Sequence, residues 1–247
     1  MTKRIWILTM FPNFFDQFKE VGVVGQMFQG LRGQKIELNT LNISDYSKRG
    51  FKGVDSAPYG GGPGMVMKAD VLKSALIDGV VKVGNYSENF KDELSVVFTA
   101  PRGRVWNNEV CKEFANNYFD GSSKKDLVFI CGRYEGVDER FLQEYVDEHY
   151  CIGDFVLSGG EIAVMTILDS ALRFAKGVLG NDESAIEDSF ENNLLEHPQY
   201  TRPSEFEGIK VPEVLTSGDH KKILKWKKDM QLEMTEKWRA DLLEKEK

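Results

Sequence analysis

The chain has 247 residues, of which 41% are hydrophobic and 29% charged, as is typical of a globular protein with one large domain or one large and one small domain. Its net charge of −7 argues against a chain-wide basic surface for nucleic acid, although lysines gather at positions 221–228. The first apolar run covers only residues 5–10, and no run approaches about eighteen residues, so we expect neither a signal peptide nor a membrane span.

Short β-rich apolar runs alternate with helix-length segments along residues 1–153. The segments 107–119 and 138–148 have the composition of helices. Strands separated in this way predict an α/β fold, in which a parallel sheet is covered by helices on both faces. The predicted strands are residues 4–10, 35–41, 94–100, 126–131 and 148–153.

Between the second and third predicted strands lies the glycine-rich stretch SAPYGGGPGM (56–65). It fits neither common nucleotide-binding template. A P-loop requires a lysine directly after its last glycine, but Gly64 is followed by Met65, which also replaces the final glycine of a dinucleotide motif. No strand is predicted immediately before it. The stretch is therefore either a tight surface turn or a backbone clamp beside a ligand or a partner chain.

Three later strands each end in a compact turn that contains glycine. These turns are TAPRGRVW (99–106), CGRYEGVDERF (131–141) and IGDFVLSGGE (152–161). Ligands of open parallel sheets bind beyond the carboxyl ends of the strands, where such turns meet. We therefore expect a nucleotide-like ligand there. None of the turns supplies a lysine and threonine pair for phosphate and magnesium, so the ligand need not carry phosphate.

The last of these turns leads into the best-defined helix of the sequence. Ser158 and Glu161 have the spacing of a capping box, which predicts that the helix begins near Gly159. One apolar stripe at helical spacing follows and indicates the buried face of this helix. The stripe consists of Val164, Ile167, Leu168, Ala171, Leu172 and Ala175.

Beyond Gly180 the helical periodicity ends. Residues 181–208 are polar, acidic and interrupted by prolines, and we interpret them as a linker. Residues 211–247 predict a small helical domain whose first helix is capped by Ser217 or Asp219. The lysines at 221–228 form either a solvated helix face or a surface for RNA phosphates.

Cysteine usage predicts a reducing compartment. Cys111, Cys131 and Cys151 lie twenty residues apart, no CxxC pair exists, and the three histidines are scattered. We therefore expect neither a disulfide framework nor a zinc site, and we predict a cytoplasmic protein.

Seven motifs stand in one order along the chain and, with YGGGPGM (59–65), cover nearly all of it. In this order and spacing they resemble those of the bacterial tRNA (guanine-N1-)-methyltransferases, a family of the SPOUT class. The motifs are APRGR (100–104), CGRYEGVDER (131–140), IGDFVLSGGE (152–161), ALRFAKGVLG (171–180), EDSF (187–190), YTRP (200–203) and VPEVLTSGDH (211–220).

This resemblance implies methyl transfer from S-adenosylmethionine to N1 of guanosine-37 in tRNA, by a cytoplasmic homodimer with no membrane partner. It also implies a SPOUT-type parallel sheet with a deep trefoil knot. The implied domains are a catalytic, S-adenosylmethionine-binding domain (1–178), a flexible linker (179–203) and a helical tRNA-binding domain (204–247). The glycine-rich stretch would lie beside the cofactor and the dimer interface.

The resemblance places the cofactor in the knot, against backbone that glycine leaves open to close approach. The residues that match the family's cofactor site are Pro101, Gly103, Gly132, Glu135, Ile152, Gly153, Asp154, Phe155, Val156, Leu157, Gly159 and Gly160.

Methylation at guanine N1 requires a base that removes the N1 proton and a partner for the charge that develops on the ring. The resemblance assigns these roles to Asp188 and Arg173, and it places Glu135 near the transferred methyl group. Glu187 would raise the pKa of Asp188 if the two carboxyls lie close. The resemblance also implies magnesium, but no ligand cluster in the sequence fixes a metal position.

The chain departs from the family pattern in four places: Ala57 replaces an arginine, Phe155 a tyrosine and Ile186 an acidic residue, and KWK (225–227) replaces the family's common WR around Trp226. They leave the details of tRNA affinity open. Three alternatives also stay open. The chain could be a SPOUT methyltransferase acting on a different RNA nucleotide, a nucleotide-binding regulatory protein, or a catalytically inactive RNA-binding dimer.

Overall fold

A computed structural model describes residues 2–121, 123–178 and 188–246 and divides the chain into two compact units, Met1–Gly180 and Asn181–Lys247. Five strands of the first unit form one sheet in the order β2-β1-β6-β5-β7, and all its pairings are parallel, which confirms the predicted α/β class. The strands of this unit are β1 (Lys3–Thr9), β2 (Ile36–Asn42), β3 (Asp55–Ser56), β4 (Val66–Met67), β5 (Leu94–Val105), β6 (Asp126–Ile130) and β7 (Glu148–Cys151).

Helices lie between these strands, and both predicted helical segments are present. Short 3₁₀ helices cover Pro12–Phe15, Ile43–Tyr46, Gly50–Gly53 and Phe90–Asp92. The α-helices are α1 (Asp16–Glu20), α2 (Gly22–Phe28), α3 (Ala69–Ser74, continued by a π-helical segment over Ala75–Val81), α4 (Asn108–Phe119), α5 (Glu139–Tyr145) and α6 (Glu161–Leu172).

The sheet is buried on both faces because its central strands are apolar at successive positions. Ile5 and Ile7 of β1 belong to one core cluster with residues of α4 and α6. Trp6 and Leu8 point to the opposite face, where they join a second cluster with residues of α3 and α5. This double burial explains why the central strands read as continuous apolar runs.

The apolar stripe of α6 is buried as predicted, but the predicted capping box is wrong. Gly160 is the N-cap of α6, and no side chain caps the helix. Glu161 instead turns its carboxylate into the interior, where it accepts a hydrogen bond from Thr9 Oγ1 at 2.7 Å. The buried carboxylate therefore binds a neighbouring strand and not the helix end.

The described part of the second unit contains two α-helices, a two-stranded hairpin and 3₁₀ helices, one of which covers Glu191–Asn193. Asp219, one of the two predicted caps, accepts hydrogen bonds from the backbone amides of Lys221 and Lys222 and so caps α8 (His220–Trp238), which is the second α-helix of this unit and not the first. No helix in the described part of the chain is long and apolar enough to cross a membrane. The elements are β8 (Glu205–Phe206), β9 (Ile209–Lys210), α7 (Glu213–Thr216), α8 (His220–Trp238) and a 3₁₀ helix over Ala240–Glu246.

Residues 188–203 of the predicted linker pack on α8. The backbone amide of Leu195 donates to Thr235 Oγ1 at 2.8 Å, and the rings of His197 and Tyr200 lie 6.0 and 6.2 Å from the ring of Trp226. This segment thus belongs to the second unit. Residues 179–187, the rest of the predicted flexible linker, lie outside the described residues.

Candidate functional site

Beyond the carboxyl ends of β5, β6 and β7 the three glycine-bearing turns surround a cavity of about 530 Å³. The predicted convergence of these turns is therefore present. All but two of the residues matched to a cofactor site line the cavity. Those that line it are Pro101, Gly132, Glu135, Ile152, Gly153, Phe155, Val156, Leu157, Gly159 and Gly160.

Gly103 and Asp154 are the two matched residues that do not line this cavity. A Cβ on Gly103 would lie 2.5 Å from the backbone of Tyr150, so this glycine serves the close approach of β5 to β7. Gly103 borders a neighbouring groove with Arg104 and His149. Asp154 is exposed at the tip of the third turn.

A bulge in β5 forms the first wall. Thr99 and Arg104 are both in register with Tyr150 of β7, so residues 100–103 leave the sheet between them. Of these, Ala100, Pro101 and Arg102 line the cavity. At its rim Arg102 forms an exposed ion pair of 2.7 Å with Glu139.

The second wall is the turn after β6, and the glycine-rich stretch lies directly against it. Glu135 N donates to Met65 O at 3.0 Å, and Met67 N donates to Gly136 O at 2.9 Å. A short hairpin of β3 and β4 holds the glycine-rich stretch in this position. Sequence patterns did not reveal the hairpin because each of its strands has only two residues.

The third wall is the turn between β7 and α6. Gly160 N donates to Gly132 O at 2.9 Å, which joins this turn to the second. A Cβ at Gly160 would lie 2.9 Å from Cys131 Cα and 3.0 Å from Thr99 Oγ1. Only glycine permits this approach, and backbone atoms form much of the cavity wall as a result.

An ion pair lies beneath the second and third walls. Arg133 Nη2 is 2.8 Å from Glu161 Oε2, with exposed side-chain fractions of 14% and 1%, and Arg133 Nη1 donates to Ser158 O at 3.1 Å. Sequence reasoning missed this pair because it assigned Glu161 to a helix cap. The signal was present, since Glu161 lies one turn before Val164 on the buried stripe, where a carboxylate requires a partner.

Tyrosines near the cavity are held in their neutral form. Tyr118 and Tyr150, which lines the cavity, both donate to Glu148, and burial with this hydrogen bond raises the pKa of each phenol. Burial also raises the pKa of Tyr134, which hydrogen-bonds Asp55. The pKa of His149 is lowered by burial and by Arg102.

The cavity wall is chemically suited to an uncharged heterocycle. The side-chain oxygen of Thr99 is buried without a hydrogen-bond partner among the described residues, and backbone groups of the glycine turns face the same space. Among residues 2–121, 123–178 and 188–246, no three His, Cys, Asp or Glu side chains are grouped as a metal site would require. Cys111, Cys131 and Cys151 are free and buried.

The three residues predicted for catalysis lie in different parts of the chain. Glu135 lines the cavity. Arg173 is the exposed C-cap of α6 in the first unit, whereas Asp188 belongs to the second unit, so their pairing stays a prediction. Ile186 and Glu187 lie outside the described residues.

Asp188 begins a strained turn. Phe190, Asn192 and Asn193 all have left-handed backbone angles, with φ of 76°, 50° and 57°. Phe190 N donates to Leu194 O at 2.6 Å and closes the turn. Non-glycine residues adopt this conformation at a cost, and such strain is concentrated at functional sites.

Comparisons with known proteins agree on one family. The family model described as "tRNA (Guanine-1)-methyltransferase TrmD" matches residues 3–245. A protein named tRNA (guanine-N(1)-)-methyltransferase from Sulfurihydrogenibium sp. is 44% identical over 99% of this chain and 89% of its own length. A protein of the same name from Clostridium beijerinckii is 44% identical over 98% of this chain and 92% of its own length. A protein of the same name from Hahella chejuensis is 42% identical over 98% of this chain and 88% of its own length.

Proposed function

The chain belongs to the tRNA (guanine-N(1)-)-methyltransferase family and is a methyltransferase of tRNA guanine, and we propose that it methylates N1 of guanosine-37 with S-adenosylmethionine as methyl donor. The observation that carries this proposal is the cavity beyond β5, β6 and β7. Its walls consist of the same three motifs that resemble the family's cofactor site.

The cavity fits S-adenosylmethionine by its chemistry. Backbone groups of the turns around Gly132 and Gly160 offer hydrogen bonds to adenine and ribose, and an apolar side chain such as Leu157 can pack against the adenine ring. When bound, the cofactor supplies an activated methyl group on sulfur whose leaving group needs no acid. Protein residues therefore have to act only on the guanine side.

On that side the proposed roles follow from the charge of the ring. Guanine N1 carries a proton at neutral pH, and Asp188 as general base removes it. The Arg173 guanidinium donates to O6 and stabilises the negative charge that results. Glu135, on the cavity wall, would act beside the transferred methyl group. The strained turn that follows Asp188 supports a functional role for this segment.

The tRNA-binding surface is proposed for the C-terminal domain, residues 204–247. Two exposed lysines of α8 form ion pairs with residues one turn away, Lys222 with Asp219 at 3.3 Å and Lys225 with Asp229 at 2.6 Å. Exposed pairs of this kind are weak, so phosphates can replace the carboxylates. In this proposal, residues 179–203 deliver Asp188 when tRNA binds.

A homodimer and a trefoil knot complete the proposal. The rings of Phe11, Phe14 and Phe51 form an exposed apolar cluster, with Phe11 6.3 Å from Phe14 and 6.2 Å from Phe51, as an interface between copies requires. We propose the trefoil knot on the resemblance of the motifs around Gly132 and Gly160 to those of the family. We place the enzyme in the cytoplasm, where three free thiols persist.

The test is methyl transfer from labelled S-adenosylmethionine to two tRNA transcripts, one with guanine and one with adenine at position 37. We expect only the guanine transcript to be labelled, and Asp188→Asn to lower the rate by roughly 10² to 10⁴. Glu191→Gln, which removes a carboxylate from the same turn, is the matched control. Equal labelling of both transcripts would refute guanosine-37 as the methylated nucleotide. Full activity of Asp188→Asn would refute Asp188 as the general base. If neither transcript were labelled by wild type, the protein would be a catalytically inactive RNA-binding protein.

A further inference from the structure

We propose that Glu161 is a positioning residue, which fixes the cofactor cavity by holding the Arg133 guanidinium against the 158–160 segment. This inference rests on the proposed function, because it assumes that S-adenosylmethionine binds in the cavity. It assigns a role to a residue that none of the proposed chemistry uses.

The Arg133 guanidinium connects three parts of the first unit. Its Nε donates to Glu161 Oε1 at 3.2 Å, and its Nη1 donates to Ser158 O at 3.1 Å. Its central carbon lies 4.4 Å from the ring centre of Phe11 and 5.6 Å from that of Phe14. The rings of Phe11 and Phe14 thus fix the plane of the guanidinium, and the Glu161 carboxylate fixes the direction in which its N–H groups point.

Glu161 is the fixed end of this arrangement. Its side chain is 1% exposed, and it accepts a hydrogen bond from Thr9 Oγ1, which in turn accepts one from Phe11 N at 3.0 Å. A carboxylate so deeply buried requires a cation, because its charge has lost the stabilisation that water provides. The carboxylate therefore constrains Arg133 more strongly than an exposed ion pair would.

The 158–160 segment takes its shape from this guanidinium. A Cβ at Gly159 would lie 2.3 Å from Arg133 Nε, so the backbone of Gly159 packs directly on the side chain. Ser158, Gly159 and Gly160 all line the cavity. Without the carboxylate, Arg133 is free to leave this position, and the segment loses both its donor and its packing surface.

The first test is binding of S-adenosylhomocysteine, measured by calorimetry on the full chain well below the melting temperature. We expect Glu161→Gln to weaken binding about tenfold, the loss of roughly one hydrogen bond to a charged group. In turnover, the KM for S-adenosylmethionine rises by the same factor, while kcat at saturation stays within about threefold. Binding by Glu161→Gln within twofold of wild type would overturn the inference.

Asp126→Asn is the matched control, because it neutralises the buried carboxylate of another ion pair in the first unit, which lies 2.9 Å from Arg4 at the start of β6 and does not line the cavity. We expect it to lower stability and to keep the affinity within about twofold. An equal loss of affinity in Asp126→Asn and Glu161→Gln would mean that general destabilisation, and not Arg133, transmits the effect.

If Glu161→Gln does not fold, the double variant Glu161→Leu with Arg133→Met carries the test. Apolar residues in place of a buried ion pair commonly restore stability. We expect near-normal melting with binding still weakened about tenfold, and wild-type affinity would overturn the inference. Failure of the wild type itself to bind S-adenosylhomocysteine is a separate result, which would refute the proposed cofactor.

Discussion

Gly64 lies directly against Glu135: a Cβ on Gly64 would come within 2.4 Å of both Cγ and Oε1 of the glutamate. Gly61, in the same loop, has nearly the same backbone conformation, with φ of +77° against +87°, but open space at its Cβ position. Substitutions at the two glycines can therefore distinguish the effect of a steric contact with Glu135 from the effect of backbone strain.

Gly64→Ala is expected to displace the Glu135 carboxyl from the cavity wall and lower methyl transfer by about 100-fold, the effect of a misplacement of roughly 1 Å. Gly61→Ala carries the same left-handed strain, about 1 kcal/mol of stability, without the displacement. Steady-state rates and melting temperatures of both variants check this. Equal rates in the two variants would contradict a role for Glu135 in the reaction.

Thr99→Val is expected to stabilise the protein. The Thr99 hydroxyl oxygen is buried and has no hydrogen-bond partner in the described ranges, and such a group costs about 1–3 kcal/mol. Valine has the same shape and removes that cost, so the melting temperature should rise by about 2–4 °C for each kcal/mol. Thr9→Val, at a hydroxyl that is hydrogen-bonded, should lower it. A lower melting temperature for Thr99→Val would show that its hydroxyl has a partner.

Lys3 makes the folding stability of the protein depend on pH in the alkaline range. Burial lowers the pKa of its ammonium to about 8, against the opposing effect of Asp126, from an ordinary value of 10.5. Between these two values the unfolded chain binds more protons than the folded chain, so the contribution of Lys3 to stability rises with pH. The melting temperature of wild type should therefore rise relative to that of Lys3→Met between pH 8 and pH 10. A constant difference would mean that Lys3 titrates normally.

The lysines of α8 should determine how tRNA binding responds to salt. Lys221 and Lys228 are exposed and seven residues apart, on one face of the helix. Replacing both with glutamine should weaken tRNA binding and reduce the slope of log affinity against log salt by about 2. Lys73→Gln with Lys82→Gln, which removes the same charge from the first unit, should leave the slope unchanged. Equal slopes in both double variants would place the tRNA surface elsewhere.

The parallel sheet was predictable because its strands are short apolar runs separated by helix-length segments. The β3–β4 hairpin was not, because a strand of two residues carries no periodicity. The capping box failed for a different reason. The spacing of Ser158 and Glu161 satisfied the pattern, but the Glu161 carboxylate is buried against Arg133 and Thr9, and no side chain caps the helix.

Most of the cavity wall was predictable from motifs, because glycine turns at parallel strand ends converge wherever the sheet forms. Long-range partners were not predictable. Arg133 and Glu161 lie 28 residues apart and meet only when the third turn packs on the second. The close approach of Gly160 to Thr99 Oγ1 likewise arises only when these turns pack together, and no spacing in the sequence predicts it.

In the sheet, β1 pairs with one strand that is close to it in sequence and with another that is far from it in sequence. Its partner β2 follows soon after it, but its other partner, β6, comes much later: Arg4 and Asp126, which pair across these strands, are 122 residues apart. At about 5–20 residues per second, a ribosome needs roughly 6–24 s to synthesise that interval. For that time β1 presents an unpaired edge of apolar residues to other nascent chains. Protection from aggregation therefore depends on how quickly the interval between Arg4 and Asp126 is translated.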